Sequence, residues 1–150
     1  MFTNFIRFRT YPMSPTIKVL GYAGLIPFIG LAVLSIMLTD SKIVIDALAL
    51  YAFGIFTFLC GAWWPTADMQ YAKFWRIVLS NVLFLSAFFS FLLLPHQWLA
   101  IGAGLFILIW AIERFSGLLP KYSLAYKKMR TVVSVVASVC MITTYIYEAV

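Results

Sequence analysis

The stretch Phe56-Thr57-Phe58-Leu59-Cys60-Gly61-Ala62-Trp63-Trp64-Pro65 closes one long apolar run, and after a polar passage through Asp68, Gln70 and Lys73 the residues Trp75 and Arg76 open the next. Small, aromatic and basic residues meet at this boundary. Tryptophan settles at the headgroup level of a bilayer and basic residues lie just beyond it, so the stretch reads as a chain leaving a hydrocarbon layer and re-entering it. Composition sets the same class. Hydrophobic residues make up 64% and charged residues 11% of the 150 residues, with a mean hydropathy of +1.00, whereas about a quarter of the residues in a soluble domain are charged. No polar stretch is long enough to fold separately, because below roughly 40 residues a chain does not usually bury a sufficient core. One integral membrane domain over residues 1–150 is expected.

Outward from that boundary, the run before it predicts a span over 47–64, ended by Pro65, and the run after it a span over 77–94, followed by the turn Pro95-His96-Gln97. A further span is predicted over 19–38, where about 20 residues at 1.5 Å each give roughly the 30 Å of a hydrocarbon core. Pro27 lies inside it and lacks a backbone donor, which predicts a kink near Ala23. Asp40, Lys42 and Asp46 mark the loop that follows. The run from Trp98 to Ile112 is short of the roughly 20 residues usually needed, so Glu113 and Arg114 are assigned to its last turn, giving a span over 98–114. A fifth span over 131–147 completes an all-α, polytopic bundle of five transmembrane helices. Ahead of these, Met1 to Thr16 mixes Phe2, Phe5, Ile6 and Phe8 with Arg7 and Arg9, which fits either a segment in the headgroup region or a frayed tail. It does not read as a signal peptide, since the first apolar run is too long and no small-residue cleavage site follows it.

Charge gives the orientation. With the N-terminus cytoplasmic, Arg7, Arg9, Lys18, Lys73, Arg76, Arg114, Lys121, Lys127, Lys128 and Arg130 fall inside and only Lys42 outside, which accounts for all 11 basic residues. The expected topology is therefore N-in and C-out, in an inner (cytoplasmic) membrane. The net charge of +6 then speaks for contact with anionic headgroups on the cytoplasmic side, worth about 1 kcal/mol per basic residue near the surface. Spread over every inner segment, these residues do not form a nucleic-acid surface. Tyr22, Trp63, Trp64, Trp75, Trp110, Tyr122 and Tyr126 are expected in an inner aromatic belt, and Trp98, Tyr145 and Tyr147 in an outer one. Tyr51 alone sits well inside a span.

Four motifs carry a resemblance. They are Leu20-Gly21-Tyr22-Ala23-Gly24-Leu25-Ile26-Pro27-Phe28, then Phe58-Leu59-Cys60-Gly61-Ala62-Trp63-Trp64, then Glu113-Arg114, and Tyr126-Lys127-Lys128-Met129-Arg130. The chain resembles the domain of unknown function 3429 family, small bacterial membrane proteins with mitochondrial transmembrane relatives, from about Lys18 to Val136. Within that resemblance the motif residues are Gly21, Gly24, Pro27, Gly61, Trp64, Glu113 and Arg114. Cys60 stands where the family pattern has a glycine, Trp63 where it has a histidine, Pro65 where it has a glycine, and Glu113 where an aspartate is usual. The resemblance implies a membrane fold and brings no activity with it.

His96 is the single histidine and lies in a turn. Neither a histidine metal cluster nor a Ser-His-Asp arrangement can therefore be assembled within the membrane, and no enzyme, metal site or cofactor is expected. Cys60 and Cys140 lie at different depths, too far apart for a bridge. No ionisable residue falls near a midplane and no internal repeat is present, which speaks against an ion-coupled transporter.

The polar residues that stand out share one depth: Thr57, Cys60, Ser80, Asn81, Glu113 and Ser134. They form either interhelical stitches or a small inward-facing polar cavity. Glu113 cannot pair with its neighbour Arg114, because adjacent helical residues diverge, so Arg76 or Arg130 is the expected ion-pair partner. Two functions follow. One is a non-enzymatic accessory or assembly factor docking onto a larger membrane complex or a second copy of itself through small-residue faces such as Gly21, Gly24, Ser86, Ser90, Ser134 and Ser138. The alternative is an oligomeric channel or carrier, or a module binding a lipid or small molecule in the polar cavity.

Overall fold

The computed structural model describes residues 14–38, 42–64, 74–116 and 123–149. The N-terminal segment with Arg7 and Arg9, and the connection residues Asp40, Pro65, Asp68, Gln70, Lys73, Lys121 and Tyr122, lie outside the described residues. The chain is all-α. Among the described residues there are six α-helices, a 3-10 turn and no strand: α1 Pro15–Ala23, α2 Leu25–Met37, α3 Lys42–Gly61, α4 Phe74–Leu93, the turn Pro95–Gln97, α5 Trp98–Phe115 and α6 Leu124–Ala149. Helices α1 and α2 together form one span, so five helical segments are long and apolar enough to cross a membrane. This is a multi-pass membrane chain.

The ends of the helices differ from the hydropathy boundaries in a consistent way. Helix α3 starts at Lys42 and takes in Asp46, and α6 starts at Leu124 and takes in Lys127, Lys128 and Arg130. Long charged side chains can run along a helix and hold their heads at the water side, so a charge ends the apolar run without ending the helix. Real breaks need backbone chemistry. The first span is interrupted at Gly24, where Pro27 has no N–H to return to the carbonyl one turn earlier. Tyr51, the tyrosine inside a span, donates its hydroxyl to the Gly24 carbonyl at 2.9 Å. A half-buried phenol thus serves a backbone acceptor at the break.

Helices α5 and α6 pack closely together, and α6 also contacts α1, α2 and α3, while α4 packs against α3 and α5. The core is a column of aromatic rings. Phe106 meets Phe28 and Phe56 edge-on at centroid distances of 5.9 and 5.6 Å, and Phe53 stacks on Phe91 at 5.0 Å. Trp98 closes one end of the column and is fully buried, its indole N–H donating to the Ala49 carbonyl at 3.1 Å. The outer aromatic belt therefore loses Trp98, because a ring at the start of a helix can turn inward when the facing helix offers an acceptor.

At Gly102 the backbone passes Trp98 and Met141 so closely that an added Cβ would lie 2.5 Å from Met141 Cε and 3.3 Å from Trp98 Cζ2, whereas nothing lies within 4 Å of one at Gly104. Gly102→Val should lower the detergent melting temperature, by the equivalent of about 1–3 kcal/mol of overpacking, and Met141→Ala should restore part of the loss. Gly104→Ala should be neutral or stabilising by up to about 1 kcal/mol, the helical advantage of Ala over Gly. Thermal melts followed by tryptophan fluorescence measure all three.

Candidate functional site

One end of the bundle gathers the basic residues. The sharp turn after α3, with Trp63 N bonded to the Cys60 carbonyl and Trp64 N to the Gly61 carbonyl, directs Trp63 back into the protein. There it is 1% exposed and donates its indole N–H to Glu113 Oε1 at 2.9 Å. Glu113, in the last turn of α5, is buried, and Arg130 of α6 closes on it from the other side, with Nε donating to Oε2 at 3.1 Å and Nη2 to Oε1. The paired fork of a guanidinium suits a carboxylate and holds both planes in register. Elements of three spans are thereby tied through one carboxylate. Trp63 stands at the position where the family resemblance has a histidine, and like a histidine it presents a ring N–H.

Arg76, the other expected partner, is elsewhere. It lies in the first turn of α4, 8% exposed, with its guanidinium 5.7 Å from the Trp75 ring centroid and its Nε without a hydrogen-bond partner. Its charge is therefore met by a ring face and not by a carboxylate. One turn further along the same face, the Ser80 hydroxyl donates to the Cys60 carbonyl at 2.7 Å, joining α4 to the end of α3.

The shared depth makes neighbours of only some of the polar residues: Ser80 bonds to Cys60, whereas Thr57 and Asn81 do not join them. Thr57 donates to the Gly54 carbonyl of its own helix at 2.7 Å, and Asn81 to the Ile77 carbonyl of its own helix at 2.8 Å, with Asn81 on the outer face of α4. Neither turns toward Glu113. Cys60 and Ser134 are buried, and Ser134 offers its carbonyl to Ser138, whose hydroxyl also reaches the Ala103 carbonyl of α5 at 3.1 Å. Both cysteines are free thiols. At the far end, Ser35 and Thr144 share a hydrogen bond at 3.2 Å between α2 and α6, a contact that small hydroxyls in apolar runs leave unannounced.

Of the motif residues, Gly21 lets α1 settle on Met129, an added Cβ there lying 2.2 Å from its sulfur, and Gly24 and Pro27 make the break in the first span. Gly61, Trp64 and Arg114 are exposed at the basic end, beside the buried Glu113. The model of the family described as protein of unknown function (DUF3429) matches residues 13–146. The chain belongs to that family. No curated protein and no solved structure matches it. The matched region of the DUF3429 chain contains every residue of the ion pair and of the break at Gly24.

Glu113→Gln should lower the melting temperature in detergent, since removing one charge from a buried pair costs roughly 3–5 kcal/mol, less where water reaches it. Replacing both partners, Glu113→Leu with Arg130→Leu, should recover most of the loss. Arg76→Met should change stability by no more than about 1 kcal/mol, the worth of a cation over a ring, because no carboxylate is left unpaired. A melting temperature unmoved by Glu113→Gln, or lowered equally by Arg76→Met, would contradict this assignment.

Proposed function

We propose that the protein is a non-catalytic accessory or assembly factor of the bacterial inner membrane that docks onto a larger membrane complex through the outer face of α4. The observation that carries this reading is Asn81. Its amide lies on the outer face of a membrane helix, spends one N–H on its own backbone, and has further donor and acceptor capacity unused. An amide against hydrocarbon is costly, and a neighbouring helix is the usual source of its remaining hydrogen bonds. Val78, Val82, Leu85 and Phe89 are exposed around it. Ser86 is exposed on the same helix, and its hydroxyl is bonded to its own helix at Val82. Of the other small residues considered for docking, Ser134 and Ser138 are buried, and Gly21 and Gly24 line a narrow cleft between α1, α3 and α6. The exposed amide distinguishes the face of α4. A polar permeation route has less support, because Thr57 and Asn81 do not converge with Glu113.

A photo-crosslinking residue at Val82 or Phe89 should give a discrete adduct with a different membrane protein in native membranes, and Asn81→Leu should weaken that adduct at least several-fold while leaving the melting temperature unchanged. Adducts only with the chain itself, or none, would overturn docking onto a larger complex.

The same reading places the N-terminus in the cytoplasm and the C-terminus outside. Its support is that Lys18, Arg76, Arg114, Lys127, Lys128 and Arg130 lie toward one end and Lys42 toward the other. A C-terminal alkaline phosphatase fusion should be active and a C-terminal green fluorescent protein fusion dark; the reverse pattern would invert the topology.

A further inference from the structure

Between α1, α3 and α6 lies a cleft of about 340 Å³. Its walls are Leu20, Phe58, Leu59 and Val133, with Tyr126 and Arg130 among the residues that line it. It opens on the lipid-facing surface, since Leu20 and Phe58 are 66% and 72% exposed. Its floor is smooth because Gly21, Gly24 and Ala62 bring no large side chain into it. From Tyr126 to Val133 it runs two helical turns, about 10 Å at 1.5 Å per residue.

Two features identify the occupant. The first is the lining. Apart from Tyr126 and Arg130 the cleft is walled by apolar residues and glycines and opens toward lipid, which suits a hydrocarbon chain. The second is Arg130, which is 6% exposed and lines the cleft. Its Nε and Nη2 are given to Glu113, while Nη1 makes no hydrogen bond to a described residue. An arginine so held is a directed donor with one amine left over, and phosphate oxygens are the acceptors such a group recognises.

Because Glu113 compensates the charge of Arg130, the attraction for an anion comes from the surrounding lysines. Lys18 and Lys127 each stand one residue beyond a lining residue, Ile17 on α1 and Tyr126 on α6, about 100° around the helix from the cleft wall, so they act through the field at this end of the bundle and do not line the cleft. Among the described residues Glu113 is the single acidic group at this end, against six basic ones. We propose that the cleft holds one anionic phospholipid, with an acyl chain between α1, α3 and α6 and its phosphate at Arg130, in the field of the basic residues gathered at this end. This site contains no α4 residue and stands apart from the docking role of that helix.

The test is native mass spectrometry of the detergent-purified full chain, titrated separately with phosphatidylglycerol and phosphatidylcholine of matched acyl chains. The expected result is one phosphatidylglycerol retained with at least tenfold preference. Lys18→Gln and Lys127→Gln should each reduce that preference about fivefold, the factor for one basic residue near a phosphate. Leu20→Trp, at an exposed position, and Ala62→Phe should fill the cleft and abolish retention of both lipids. Melting temperatures of the four variants separate a filled cleft from an unfolded chain, and Leu20→Trp keeps the test valid if Ala62→Phe does not fold. No retained lipid, equal retention of the two lipids, or retention by the unmodified chain that survives Leu20→Trp would overturn the proposal.

Discussion

A carboxylate buried beside a hydrocarbon layer must find both a counter-charge and hydrogen-bond donors, because either shortfall costs several kcal/mol. Glu113 finds them in Arg130 and Trp63, which come from two other spans. The consequence is geometric. The end of α5, the start of α6 and the turn beyond α3 are set relative to one another by three directed hydrogen bonds. Apolar packing alone would do this less well, since helices in lipid gain little from burying one apolar face in preference to another. With that end set, the ring column around Phe106 and the Ser35–Thr144 bond at the opposite end follow along the same helices.

The remaining polar side chains divide by where their acceptors lie. Ser80, Ser138, Tyr51 and Trp98 each reach a backbone carbonyl on another helix and act as stitches. Thr57, Ser86, Ser90 and Asn81 bond to their own helix one turn back, which satisfies a hydroxyl in an apolar setting but leaves an amide with capacity to spare. That difference separates Asn81 from the serines around it. Among the described residues most polar groups inside the bundle are matched to one another, Arg76 Nε being an exception, whereas Asn81 on the outer face of α4 keeps unused capacity.

Much of this was legible in the residues because depth in a membrane is a matter of counting. At 1.5 Å per residue, the lengths of the apolar runs give five spans, and the level of Glu113 coincides with that of Arg76 and Arg130. Membership of the DUF3429 family agrees with the motifs around Gly21 and Glu113. The interruption at Gly24 was also readable, since Pro27 removes a donor whatever the surroundings.

Rotation about each helix axis was not. A soluble helix advertises its buried side with an apolar stripe, but helices apolar on every side carry no such mark. Which of two arginines at one level meets Glu113, whether Asn81 looks inward or outward, and whether Trp98 faces headgroups or the core are all questions of rotation. A shift of one residue turns a side chain through about 100°. The sequence by itself determined the class, the number of spans and which described polar residues lie toward the same end of the bundle. Only the tertiary structure decided their facing, because facing is set by what the neighbouring helix offers: the carboxylate of Glu113 for Arg130, the Ala49 carbonyl for Trp98, and for Asn81 nothing among the described residues beyond its own backbone.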